Sequence, residues 1–229
     1  MLLAVVPVVL AIMVGVAISR SRKAARAAAL RNAGQAAFVE AMEAGAEADT
    51  PAGRQTAYDR AADLALRHFG RVTRERARAL VLAATAYDEE DAAEAVTARL
   101  EAALSIERKI GADPLALAET LAWLSRRHPN HDAAYRAASE ALSLVRRTLG
   151  KADPRYLDLA LSSAPVLART GHAAEADALF RATLEAEQPE DPSFAVRARL
   201  DYAAFLDDHK RPDAAAKLRA EARERAARA

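Results

Sequence analysis

Three helical segments of this chain leave through nearly the same exit, and that repetition limits the fold more than any single motif does. Ala103-Leu104 runs on to Gly111-Ala-Asp-Pro114, Ala141-Leu142 to Gly150-Lys-Ala-Asp-Pro154, and Thr183-Leu184 to Glu190-Asp-Pro192. The anchors at positions 103, 141 and 183 lie 38 and 42 residues apart. This is the length of a helix-turn-helix unit with a generous connection, and self-similarity at such a period is the signature of a stacked helical array. One such unit cannot bury its apolar face alone, so its neighbours must complete it.

Composition agrees and narrows the function. Apolar residues make up 52% of the 229, enough for a continuous core. Alanine dominates that set and aromatics reach only 5%, which suits closely approaching helices better than sheets, where β-branched and aromatic side chains are enriched. A net charge of +1 supplies no global positive field for collecting phosphates, so nucleic acid is not an expected partner. Cysteine is absent, which removes disulfides, thiol nucleophiles and thiolate-bound zinc together. The excess of alanine and of arginine over lysine fits a GC-rich bacterial genome.

Punctuation places the helices at about 24–48, 54–69, 73–87, 91–109, 114–127, 132–149, 155–169, 173–187, 194–208 and 212–228. Glycines at 70, 111, 150 and 171 are suited to closing helices, and prolines at 51, 114, 154, 192 and 212 to opening them. Asp113-Pro114 and Asp153-Pro154 place an acceptor side chain before a first-turn proline. Pro165 falls inside a helix, where it removes one hydrogen bond, and a local break is expected there.

Within these helices small and large residues recur at fixed places: Ala164, Leu167, Gly171, Ala176 and Phe180 in one pair, Leu121, Ala122, Ala134 and Ala141 in the pair before it. Leu80, Ala84, Tyr87 and Ala103 begin the series, and Ala203, Leu206, Ala215 and Ala222 end it. From about Thr73 onward the chain resembles tetratricopeptide (TPR) repeats, in the longer variety found in kinesin light chains and many bacterial proteins. The resemblance implies an all-α, right-handed α-solenoid of about four helical pairs over residues 71–229. Residues 20–70 form a basic juxtamembrane segment and a helical cap or degenerate repeat, since Tyr58 stands where a small residue is wanted.

The resemblance also implies a protein-interaction scaffold or adaptor rather than an enzyme, with a concave groove that holds a protein or peptide partner. On this alignment Glu119, Trp123, Arg126 and Arg127 face the groove from the second pair, and Leu161, Pro165 and Arg169 from the third. Arg78, Val81, Thr85 and Asp88 would join from the first, Arg197 and Leu200 from the last. Trp123 is the only tryptophan, and a tryptophan among arginines has the composition of a binding hot spot; burial inside the solenoid is the alternative. The lysines and asparagines with which family members grip a C-terminal carboxylate are missing.

Leu2 to Ile18 is uncharged and almost wholly apolar, about 25 Å as a helix and just enough to cross a bilayer. Arg20, Arg22, Lys23, Arg26 and Arg31 follow, with no acidic residue before Glu40. Residues 1–19 therefore read as one transmembrane anchor in a cell inner membrane, with the rest of the chain on the cytoplasmic side. A cleaved export signal, leaving a periplasmic protein, is the competing reading; such signals carry their charge before the apolar core, and here it comes after. A structural or assembly subunit of a membrane complex is a further alternative.

Chemical motifs are thin. The five histidines mostly fall at predicted helix ends or turns, where they can cap carbonyls. His128-Pro-Asn-His131 offers two ligand types but no evident third. The run from Asp88 to Asp91 lacks the glycine of a calcium loop and reads as a helix start. No phosphate-binding loop, nucleophile elbow or zinc-protease motif is present. No catalytic residue, metal, cofactor or small-molecule substrate is expected.

Overall fold

A computed structural model describes residues 5–86, 93–186 and 192–228, and within the first of these not the side chains of 5–22, 24 and 27. Among the described residues ten helices follow one another: α1 Val5–Glu47, α2 Pro51–His68, α3 Arg74–Thr85, α4 Ala93–Ile110, α5 Pro114–Arg127, α6 His131–Leu149, α7 Pro154–Arg169, α8 Ala173–Glu185, α9 Pro192–Asp208 and α10 Pro212–Ala226. The helix expected from Ala24 is the later part of α1. Compact packing divides the chain into one unit ending at Ala86 and another from Tyr87.

Local chemistry sets the helix ends. The side chains of Thr50, Asp113, Asn130 and Asp153 each accept a hydrogen bond from a first-turn amide, at 3.1, 2.7, 2.9 and 2.9 Å, satisfying donors that a helix start leaves open. At the end of α4, Gly111 has φ +61°, and the next amide, that of Ala112, reaches back to the carbonyl of Glu107 at 2.9 Å. A side chain rarely adopts that backbone conformation, so glycine closes the turn. Lys210 performs the same reversal without glycine after α9, with φ 58° and the Arg211 amide bonded to the Leu206 carbonyl at 2.8 Å.

In the first unit α2 packs against both α1 and α3. Buried Ala41, Ala61, Ala62 and Ala79 let these helices approach, with Phe38 and Leu80 packed around them. Tyr58, out of place for a repeat, is buried because the small residue lies on the facing helix. A Cβ on Gly45 would stand 2.4 Å from Tyr58 Cε1, and one on Gly34 would stand 2.4 Å from His68 Cγ. Steric complementarity is kept with its two sides exchanged. α3, expected to open the repeats, belongs to this unit.

In the second unit each helix packs on the next, from α4 to α10. α5 also touches α7, and α7 touches α9, so the first helices of successive pairs lie side by side. Ala103, Ala134, Ala141, Ala164, Ala176, Ala203 and Ala215 are all fully buried, which brings backbones close enough for ridges to seat in grooves. Phe180 fills the space between pairs, stacked on Tyr202 and tilted against Phe205 at centroid distances of 5.1 and 5.3 Å.

The break expected at Pro165 does not occur: α7 is continuous from Pro154 to Arg169. Burial of Leu157, Leu161, Ala164, Val166 and Leu167 on the same helix holds the turn together against a penalty of about 3 kcal/mol, and the proline ring itself is exposed.

Candidate partner-binding face

α5 seats Ala118, Leu121, Ala122 and Leu124 in the core. At positions i, i+4 and i+7 another stripe carries Glu119, Trp123 and Arg126. Glu119 is exposed, while Trp123, Arg126 and Arg127 are half-buried. Arg126 lies over the indole with its Cζ 4.2 Å from the ring centroid, a cation–π contact worth about 0.5–2 kcal/mol. Burial chiefly, then the neighbouring Arg127, draws the Arg126 guanidinium below its ordinary pKa, with Glu119 opposing. Trp123 is thus neither a core residue nor a free one, and the Arg126 guanidinium covers one face of its ring.

Arg169 reaches the same end of α5 from α7. Its guanidinium donates to the carbonyl oxygens of Ser125 and Arg126 at 2.8 and 3.2 Å, groups that the helix end leaves without intrahelical partners. Its Nη2 group is therefore held by the C-terminal end of α5, while the guanidinium keeps its charge at an exposed position.

On its other side Arg169 borders an open cleft of ≈ 460 Å³ between α7 and α9. Leu161, Phe180 and Phe205 make the floor, and Ser162, Asp201, Asp208 and His209 stand at the rim. Leu161, expected in a groove, is reached only at this floor and is 2% exposed. A second depression of ≈ 340 Å³ adjoins, sharing Leu161, Ser162 and Asp201 and bordered by Asp158 and Arg197. Arg197 forms an ion pair with Asp158 across the two helices. Burial raises the Asp201 carboxyl above its ordinary pKa, and the field of Arg197 lowers it.

Of the two α9 residues suggested by the sequence, Arg197 borders the second depression and Leu200 does not. Leu200 is 46% exposed and lines neither depression, whereas Asp201, Phe205 and Asp208, which the repeat pattern does not single out, line the cleft. Ala198, Tyr202, Phe205 and Leu206 form the buried stripe of this helix; locating that stripe first places Asp201 and Asp208 at its margin.

Other candidates resolve locally. The Asn130 amide donates to His128 Nδ1 at 3.0 Å, which ties that histidine into the turn, and His131 is exposed. His172 stacks on Tyr135 at 3.6 Å. Among the described residues no three metal-ligating side chains converge. The acidic run from Asp88 to Asp91 lies outside the described residues. Lys23 and Arg26 are exposed on α1, while the side chains of Arg20, Arg22 and the apolar segment Leu2–Ile18 lie outside those described, although the segment's backbone belongs to α1 from Val5 on. Among the described residues no helix is long and apolar enough to cross a membrane.

Solved structures share this arrangement. Nearly identical TPR-like repeats from Podosopora anserina, described as a putative kinesin light chain, superpose with a TM-score of 0.69 at 13% identity, over 85% of this chain and 95% of theirs. A single-substitution variant of those repeats gives 0.71, also at 13% identity, over 85% and 94%. BtubC (BKLC) from P. vanneervenii gives 0.63 at 15% identity, over 90% and 91%. At such identities the likeness is one of fold: this chain has the TPR-like helical-repeat fold. No protein-family model matches the chain. No curated protein matches it either.

Proposed function

We propose that this chain is a membrane-tethered scaffold whose repeats hold a protein partner across the first helices of successive pairs. The observation that carries this reading is the open cleft between α7 and α9, joined through Arg169 to the Trp123–Arg126 stack on α5. An apolar floor with polar margins, on packed helices, is what a partner's anchoring side chain requires. The TPR-like fold supports a scaffold, since stacked helical repeats present extended binding surfaces.

The tether is the segment Leu2–Ile18, and the basic residues that follow it, Arg20 to Arg31, keep the repeats on the cytoplasmic side of the inner membrane. Anchoring confines the partner to the membrane surface and raises its effective concentration there.

The test begins with tagged full-length protein taken from native membranes in mild detergent, its companions identified by mass spectrometry. The pair Trp123→Ala with Arg126→Ala should release the partner while helicity is unchanged, and a chain starting at Ala24 should leave the membrane fraction. Companions that persist in the double variant, or depart only with the first 23 residues, would refute recognition by the repeats. Protease added to spheroplasts should spare the repeats; cleavage would place them in the periplasm.

A further inference from the structure

The rim of the α7–α9 cleft carries one arginine, Arg169, against two carboxylates, Asp201 and Asp208, so its formal charge is net negative. Arg169 is bonded to the carbonyls of Ser125 and Arg126, Arg197 to Asp158, and Arg211, just beyond α9, to Asp177. His209 folds back, its Nδ1 2.8 Å from the Phe205 carbonyl oxygen and its ring stacked on Phe205 at 4.1 Å. Asp201 and Asp208 have no ion-pair partner within bonding distance among the described residues, the nearest field on Asp201 being that of Arg197. Asp208 stands at the C-terminal end of α9, where a negative charge is unfavourable to its own helix. Seven residues apart on one helix, the two carboxyls lie on one face about 10 Å apart along the axis.

Between them the open cleft of ≈ 460 Å³ is backed by the apolar side chains of Leu161, Phe180 and Phe205, and its volume is within the size range of sites that take a ligand group. Half-buried Asp201 has lost part of its hydration, so a cation arriving beside it gains more than one meeting a fully solvated carboxylate.

We infer that this cleft takes a protein segment in which a leucine or aromatic side chain enters the floor and flanking lysines or arginines meet Asp201 and Asp208. The inference rests on the scaffold reading above and gives it a charge preference, for basic segments.

The test uses an array of twelve-residue peptides with a central leucine or phenylalanine, flanked by two lysines, two glutamates or two serines. Full-length protein in detergent is applied, and affinities follow from fluorescence anisotropy. Wild-type protein should retain the lysine-flanked peptides, and Asp201→Asn with Asp208→Asn should weaken them about tenfold. Asp201→Lys with Asp208→Lys should transfer the preference to glutamate-flanked peptides, with circular dichroism unchanged in both pairs. Should the lysine pair fail to fold, the asparagine pair decides. Wild-type binding that ignores charge, or prefers glutamate, would overturn this inference and leave the scaffold reading intact. No binding by any peptide, while a native partner is still captured through Trp123, would overturn it as well; loss of both would end the scaffold reading too.

Discussion

Replacing Gly45 by alanine should destabilise the α1–α2 pair even though alanine is the better helix former. A Cβ at Gly45 stands 2.4 Å from Tyr58 Cε1 and 2.7 Å from both Cδ1 and Cζ, whereas carbon atoms at rest lie about 3.5–4.0 Å apart. The ring must therefore withdraw by about 1 Å, and it has nowhere easy to go. Tyr58 is 8% exposed and packs with Ala83 and Ala86 beyond it. Forcing a methyl into such a site costs about 1–3 kcal/mol, against about 1 kcal/mol gained from helix propensity. With Tyr58→Ala already in place the obstacle is gone, so Gly45→Ala should then stabilise by about 1 kcal/mol. The coupling between the two positions is thus about 1–3 kcal/mol, and the effect of the methyl changes sign between backgrounds. Hydrogen exchange by mass spectrometry, read on peptides from α1 and α2, reports this locally without requiring the whole array to unfold in one step. Gly45→Ala that raises protection equally in both backgrounds would refute the packing argument.

Phe180→Ala should cost about 3–5 kcal/mol, since the ring is fully buried, and Phe180→Leu less than about 1.5 kcal/mol; urea denaturation followed by circular dichroism measures both, and similar costs would contradict a packed aromatic cluster. Glu107 is 7% exposed, with Oε1 accepting from Thr120 at 3.0 Å and Oε2 unpartnered. Burial chiefly raises its pKa above the ordinary 4.5; the Thr120 bond opposes this and Glu119 adds to it. The folded state therefore holds this proton more tightly than the unfolded one. Wild-type stability relative to Glu107→Gln should fall as pH rises from about 4.5 to the raised folded value, then level off. At neutral pH the glutamine variant, which buries no charge, should be the more stable; a wild-type advantage at pH 7 in urea melts would reverse the assignment.

Which residues form helices was legible in the sequence because the signals are local. Caps such as Asp113 and Asn130, and glycine at 111, act within three or four residues of themselves. α5 spans the residues that its proline and arginines mark out, and the alanines at repeat positions are buried as the period requires. Trp123, Arg126 and Glu119 could be grouped for the same reason, since helical spacing alone puts them on one stripe. What needed the tertiary structure is whatever depends on a partner from another helix. Pro165 sits in an unbroken helix because remote packing holds both sides of it. Tyr58 is accommodated by Gly45, on a different helix and 13 positions earlier in the chain. Arg197 looks available until Asp158 pairs with it, and the carbonyl oxygens at the end of α5 orient Arg169, while Asp201 and Asp208 give the cleft its excess of negative charge. A sequence lists charges, but only the folded chain decides which of them are already neutralised, because pairing energies act over a few ångströms of space and not along the chain.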